Sequence, residues 1–351
     1  MLLNNPSRAS FSGPRPFRVA AERPAALLQR CPAYAPTPLR ELAGLAAETG
    51  LDRLWAKDET QRMRLGSFKA LGGAYAVAQM IADEVGTTDL LEAPARTVAA
   101  GMTFITASAG NHGLSVAAGA RVFGARAVIV LALAVPEGFA KRIRALGAEV
   151  LRAGESYEES VGFALRTAEE KRWILLADGS WDGYVERPAL VMEGYSVLAE
   201  ECRASFDETG SWPSHVFLQA GVGGLAAAVA GHIRSFWPAQ PTIIVVEPEA
   251  APCLQASIRA GALTRAEGPL SNMGRLDCKD ASLLAFQSLQ LDADSFVTVS
   301  DAEAAAAAET LARHGLATTP SGAAGFAAIQ RFHPGADSRC LVIVSEGLEG
   351  D

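Results

Sequence analysis

Leu65-Gly66-Ser67-Phe68-Lys69-Ala70-Leu71-Gly72-Gly73-Ala74-Tyr75 sets a lysine among apolar neighbours where a helical pattern begins. Ser67 is expected as the N-cap, which puts Lys69 in the first turn. That end of a helix disfavours a cation, and Phe68 and Leu71 flank the amine with apolar surface. Both effects predict a depressed pKa and a free amine, the form that makes a Schiff base. The alternative is a lysine that simply extends to the surface, the usual fate of this residue.

Two further stretches place polar groups at helix starts. Thr106-Ala107-Ser108-Ala109-Gly110-Asn111-His112-Gly113 reads as a strand–loop–helix junction. Its hydroxyls, its amide and the N–H groups of the helix start suit a carboxylate, although the same residues also suit an ordinary cap. Thr319-Pro320-Ser321-Gly322-Ala323 precedes another helical pattern, and Ser321 either caps it or donates to a ligand. A fourth stretch, Gly221-Val222-Gly223-Gly224-Leu225-Ala226, follows the strand signal Val216–Leu218, and the next strand ends in Glu247. This spacing matches a dinucleotide fingerprint. The underlying physics is broader, because glycines and a helix N-terminus serve a single phosphate equally well. The reading is therefore a phosphate site, set against a tight turn that merely needs small residues.

Around these motifs strand and helix signals alternate. Strands are expected at 98–107, 127–133, 148–152, 173–177, 215–219, 242–246, 296–299 and 340–344. Helices are expected at 111–123, 137–146, 156–171, 224–236, 252–260, 301–313 and 322–331. Continuous apolar strands between helices predict parallel sheets covered on both faces. Ser300-Asp301-Ala302-Glu303 has the capping-box pattern. Segment 203–214, with Asp207, Gly210 and Pro213, reads as a boundary, so two α/β lobes are expected with the site between them.

The 351 residues suffice for one large domain or two medium ones. A formal charge of −8 with no Lys/Arg cluster argues against nucleic acid or an anionic membrane as partner. No apolar run approaches the roughly 18 residues of a membrane span. The start, Met1-Leu2-Leu3-Asn4-Asn5-Pro6, does not read as a secretory signal, and residues 1–16 are expected as a flexible arm. Cys31, Cys202, Cys253, Cys278 and Cys340 are widely spaced with no C-x-x-C, so reduced thiols in the cytoplasm are expected and no metal site.

Together the four stretches resemble the fold-type-II pyridoxal-phosphate (PLP) enzymes, a group that contains threonine and serine dehydratases, threonine synthase and cysteine synthase. The likeness runs from Pro32 to the C-terminus and starts with Pro36-Thr37-Pro38-Leu39. It implies a two-lobed, tryptophan synthase β-like α/β architecture with mostly parallel sheets flanked by helices. A large PLP-binding domain would take 17–67 plus 205–351 and a small domain 68–204. It implies that Lys69, beside Phe68, carries the cofactor. Ser108, Ala109, Gly110, Asn111 and His112 would bind the substrate carboxylate, with Asn111 also near the cofactor 3′-oxygen. Gly221, Val222, Gly223, Gly224 and Leu225 would hold the phosphate, and Ser321 would face the pyridine nitrogen. A neutral hydroxyl there goes, in this family, with elimination rather than transamination.

Within the group the Lys57-Asp58-Glu59 and 66–75 stretches are most similar to diaminopropionate ammonia-lyases. Asp178-Gly179-Ser180-Trp181-Asp182-Gly183-Tyr184 is similar to the D-x-x-W-E-G-Y of that branch, and Ser345-Glu346-Gly347 to its terminal T-E-G. Ala109 departs from the aspartate of that branch's loop, and Asp182 from its glutamate; the A-S-A-G-N-H loop is closer to the hydroxy-amino-acid dehydratases. The implied reaction is α,β-elimination from a small amino acid, 2,3-diaminopropionate giving pyruvate and ammonia. Asp178, or freed Lys69, would take the Cα proton, and Tyr184 would contact the substrate. Branch members that accept both enantiomers use the loop aspartate for the D form, so the L form is expected to be preferred here. The rivals are a serine, threonine or 3-hydroxyaspartate dehydratase, a PLP-binding protein without turnover, and an NAD-dependent dehydrogenase built on the glycine loop alone. A homodimer is implied by resemblance.

Overall fold

The structure, a computed structural model, describes residues 1–8, 13–108 and 110–348. Its strands are β1 (Leu2–Asn4), β2 (Leu39–Glu41), β3 (Arg53–Asp58), β4 (Thr103–Ala107), β5 (Arg126–Leu131), β6 (Glu149–Arg152), β7 (Ile174–Leu175), β8 (His215–Gln219), β9 (Thr242–Pro248), β10 (Ser295–Val299) and β11 (Arg339–Val344). They form two sheets, a larger one in the order β1-β10-β9-β8-β11-β3-β2 and a smaller one in the order β6-β5-β4-β7. Neighbours are parallel except at the outer edges of the larger sheet, where β1 and β2 run antiparallel. Every residue of β4 and β10 is buried, as expected of strands covered by helices on both faces.

Three expectations are corrected. The strand expected at 98–107 begins only at Thr103, because Ala93–Ala100 is a helix. Pro94 suits a helix start, and Ala95 and Ala99 bury one helical face. The boundary expected at 203–214 shrinks, because one helix runs from Glu186 to Thr209 and ends at Gly210 with φ 65°. Val191–Ala199 are all buried, so that helix has no amphipathic stripe to betray it. The arm expected over 1–16 is ordered at its start, where β1 extends the larger sheet and the Asn5 side chain donates to the Ala293 carbonyl at 2.8 Å. Residues 9–12 lie outside the described residues.

Small residues set how closely the helices behind Lys69 pack. A Cβ on Gly72 would come within 2.3 Å of the Tyr195 ring, and one on Gly194 within 2.5 Å of the Leu71 carbonyl oxygen. A Cβ on Gly73 would overlap Ser115 Oγ at 2.0 Å. Helices Lys69–Val85, Asn111–Phe123 and Glu186–Thr209 therefore meet nearly backbone to backbone.

The loop leading into Lys69 is strained and held by buried charge. Met63 and Arg64 adopt φ 49° and 59° without being glycine. Just before them Arg62, fully buried, donates to Glu59 Oε2 at 2.7 Å and to Glu201 Oε1 at 2.8 Å. Lys57 Nζ donates to Glu201 Oε2 at 2.6 Å and to the Thr37 carbonyl at 2.7 Å. The Lys57-Asp58-Glu59 and Pro36–Pro38 stretches thus act as anchors for this loop.

Candidate active site

Lys69 is the first residue of its helix, with Phe68 as the capping position; Ser67 Oγ accepts from Lys69 N–H at 3.3 Å without forming the expected cap. Its amine reaches across to the smaller sheet, where Nζ donates to Asp178 Oδ2. The two side chains are 20% and 17% exposed. The expected depressed lysine pKa is corrected here. Burial does pull it down, but the Asp178 carboxylate outweighs burial and the net shift is upward. Asp178 shows the mirror image: burial raises it, Lys69 and His112 pull it down, and the net shift is downward.

Asp178 stands on a doubly tied loop. His112 is buried and its Nε2 pairs with the Leu176 carbonyl at 2.8 Å; burial lowers its pKa and keeps the ring neutral. Across the lobes, Ser180 Oγ meets Ser282 Oγ at 2.7 Å and accepts from Leu284 N–H at 2.9 Å. Tyr184 differs from its expected role, because its hydroxyl donates to the Leu175 carbonyl at 2.9 Å and accepts from Ala177 N–H at 3.1 Å. Its ring stacks on Trp181 at 4.4 Å, so it braces the Asp178 loop.

The glycine loop leaves β8 and enters helix Gly224–Phe236. Gly223 has φ 102°, and no side chain caps that helix, so its first N–H groups have no side-chain acceptor. The loop lies beside the lysine: a Cβ on Gly224 would sit 3.6 Å from Tyr195, whose ring centre is 5.8 Å from Lys69 Nζ. The Phe68 ring packs edge-on against Tyr195 at 4.9 Å. Glu247, the acidic residue of the dinucleotide fingerprint, is wholly buried. Its carboxylate accepts from Leu254 and Gln255 N–H at 2.7 and 2.8 Å, and burial pushes its pKa up to about 8. It caps helix Cys253–Ala260 and is closed to a ribose.

On the smaller lobe, Ser108 Oγ accepts from Gly110 N–H at 3.2 Å, and no side chain caps helix Asn111–Phe123. Ala109 lies outside the described residues. Asn111 Nδ2 donates to Glu346 Oε2 at 2.5 Å, across the two lobes. Arg275 lies against Gly110, where a Cβ would meet its guanidinium at 3.3 Å. Thr319 caps helix Pro320–Phe332 by accepting from Gly322 N–H at 3.1 Å, a role the sequence left open to Ser321. Ser321 Oγ instead accepts from Arg275 N–H at 3.1 Å. Ser345, buried just past β11, accepts from Phe68 N–H through its carbonyl at 3.1 Å. A cleft of about 200 Å³ opens between the lobes, lined among others by Arg64, Asn111, Arg142, Arg275 and Glu346.

The four stretches picked out in the sequence therefore converge. Tyr195 and Arg275 were not anticipated as site residues, and Ser345 and Glu346 only as part of a terminal motif. A buried tyrosine inside the wholly buried middle of a helix leaves no pattern to read.

The family described as "Pyridoxal-phosphate dependent enzyme" matches residues 31–346. The chain is 35% identical over 286 residues to diaminopropionate ammonia-lyase from Escherichia coli (strain K12), covering 79% of this chain and 71% of that one. It is 31% identical over 301 residues to the biosynthetic L-threonine dehydratase of Haemophilus influenzae, covering 84% of this chain and 52% of that one. The crystal structure of the Escherichia coli diaminopropionate ammonia-lyase in complex with D-serine superposes with a TM-score of 0.88 at 29% identity, covering 99% of this chain and 93% of that one.

Proposed function

The chain belongs to the pyridoxal-phosphate-dependent enzyme family, and from that premise we propose that it is an ammonia-lyase that eliminates the β-amino group of 2,3-diaminopropionate, the L form preferred, giving pyruvate and ammonia. The observation that carries this is the Lys69–Asp178 pair: an amine for the cofactor carbonyl and a carboxylate base at one point between the lobes. The cofactor fits the residues present. Gly223 and the uncapped helix start offer N–H groups to a phosphate, and Lys69 supplies the covalent link. When bound, PLP supplies the electron sink that stabilises a carbanion at Cα.

The chain supplies the rest. Asn111 and the free N–H groups at the start of its helix hold the substrate carboxylate. Asp178, braced by Tyr184 and Ser180, removes the Cα proton. Ser321 presents a neutral hydroxyl to the pyridine nitrogen. The large domain, 17–67 plus 205–351, contributes all strands of the larger sheet except β1; the small domain, 68–204, contributes β4 to β7. A cytoplasmic homodimer is part of the same proposal; light scattering on the purified protein tests the stoichiometry.

A second reading is a dehydratase of serine, threonine or 3-hydroxyaspartate, favoured by Ala109 and by the threonine dehydratase likeness. A panel of both 2,3-diaminopropionate enantiomers and these hydroxy amino acids, assayed for keto acid, decides between them. Highest kcat/KM on a hydroxy amino acid would overturn the ammonia-lyase reading.

A further inference from the structure

The mechanism so far has a base for the Cα proton and no acid for the group that leaves Cβ. We propose that Glu346 is that acid, the proton donor to the departing β-substituent; this rests on reading the site as an elimination centre.

Placement comes first. Glu346 lies two residues past the end of β11, and its backbone is fixed on both sides. Its carbonyl accepts from Thr318 Oγ1 at 2.5 Å, and Gly347 N–H donates to the Gly66 carbonyl at 3.0 Å. Its side chain is 6% exposed, yet it lines the interlobe cleft together with Asn111. Among the described residues lining that cleft it is the one carboxyl group. Asp178 belongs to the other lobe and lines the site at Lys69. The charge of Lys69 acts on both carboxyls, which in this proposal flank the substrate, one from each lobe.

Chemistry comes second. Asn111 Nδ2 at 2.5 Å and Thr319 Oγ1 at 2.6 Å both donate to Glu346, and Arg275 Nε lies 3.7 Å away. These contacts favour the carboxylate, but burial outweighs them and the net pKa shift is upward. Asp178 is shifted the opposite way. Two carboxyls whose surroundings drive them apart are the arrangement that divides acid from base work. The same donors then stabilise Glu346 as the anion it becomes.

The step balances as follows. The Cα–H proton passes to Asp178, and its electron pair forms the Cα–Cβ double bond. The Cβ–N bond breaks with its pair on nitrogen, and the neutral amino group takes the Glu346 proton and leaves as ammonia. A hydroxyl leaves as water in the same way. Asp178 then releases the proton it took, and the Glu346 carboxylate recovers one from solvent through the cleft.

Glu346→Gln keeps the size of the side chain and removes the transferable proton. The alternative role, a structural carboxylate that merely holds Asn111, is separated by leaving-group chemistry. Chloride leaves β-chloroalanine without needing a proton. For holoenzyme E346Q, kcat on whichever amine or hydroxyl substrate the unmodified enzyme uses is expected to fall about 10²–10⁴-fold. Elimination from β-chloroalanine is expected to stay within about threefold. Equal losses on both substrates, no loss on either, or failure of E346Q to take up PLP would each overturn the proposal. Unmodified enzyme that eliminates water from serine but spares 2,3-diaminopropionate would overturn the ammonia-lyase reading alone, and E346Q would then be judged on serine.

Discussion

Gly223→Ala tests the phosphate site through the backbone. At φ 102° an L side chain is strained, at about 1–3 kcal/mol. The new methyl would also stand 2.8 Å from Ala285 Cβ and 2.9 Å from Leu254 Cδ1. Leu254 can swing, but Ala285 sits on helix Leu283–Asp292 and cannot, so overpacking adds about 1–3 kcal/mol. The sum, about 2–6 kcal/mol, is a large fraction of a domain stability of about 5–15 kcal/mol, so the urea midpoint falls clearly. Relief requires the loop to move by a few tenths of an ångström, which misaligns its N–H groups. Losing one hydrogen bond to a charged phosphate, worth about 1.5–3 kcal/mol, weakens PLP binding about ten- to a hundredfold. Gly138→Ala is the control, since nothing lies within 4 Å of its Cβ position and its helix should gain slightly. Urea unfolding of the cofactor-free protein and PLP titration by absorbance read the two effects. If unfolding free energy stays within about 0.5 kcal/mol and PLP affinity within about threefold of the parent, the loop does not hold the phosphate.

Lys69→Ala is expected to abolish the visible absorbance of bound cofactor and all turnover; a variant retaining both would remove the central assignment. The D enantiomer of 2,3-diaminopropionate should be turned over about 10²–10⁴-fold less efficiently than the L form, because Ala109 offers no base, and Ala109→Asp should restore part of it. Comparable kcat/KM for the two enantiomers would contradict this. Asp178→Asn should lower kcat on the L form by about 10²–10⁴-fold and erase the acidic limb of its pH profile; a surviving limb would place the base elsewhere. Glu201→Ala should cost about 3–5 kcal/mol in urea unfolding by leaving Lys57 in the interior without a carboxylate and Arg62 with Glu59 alone, and less than about 1 kcal/mol would show the network to be incidental. Arg62 and Lys57 outweigh burial and hold the Glu201 carboxyl below its ordinary value, so its contribution is complete above that value and is lost as pH falls below it.

The parallel strands and their helices were legible because Val, Ile and Leu runs alternate with helical spacing, and helices Asn111–Phe123, Gly224–Phe236 and Asp301–Arg313 begin and end where the sequence places them. Their ends carry local signals: Gly124 in the left-handed conformation, and a capping box at Ser300 and Glu303. Helix Glu186–Thr209 had no such pattern, since burial on all sides of its middle erases the polar face. Motifs located the lysine, the glycine loop and the Asn111 loop, because each needs particular backbone freedom or a particular functional group. What a motif cannot state is which group a side chain is spent on. Tyr184 and His112 are used to hold backbone, Ser321 accepts from Arg275, and Glu346 joins the two lobes through Asn111. Those pairings join residues far apart in sequence and exist only once both sheets are packed.

The reversal of the Lys69 pKa follows from the same point. Helix dipole and apolar neighbours are local effects, readable at positions 65–75; the Asp178 carboxylate is not, and at contact distance inside the protein it outweighs them. The ion pair has a consequence for catalysis. A carboxylate held far below its ordinary value is a poor base, since general-base strength rises with pKa. Burial acts upward on Asp178; the charge on Lys69 is the largest influence against it, with His112 and a backbone hydrogen bond adding to the downward pull. When the lysine nitrogen no longer stands opposite Asp178 as a cation, the largest charge opposing burial is gone and the carboxylate becomes a stronger base. Asp178 is thus restrained while Lys69 is charged and released when the lysine gives up that charge. The acidic limb of kcat should accordingly lie well above the pH at which the same group titrates in the free chain, where Lys69 holds it down.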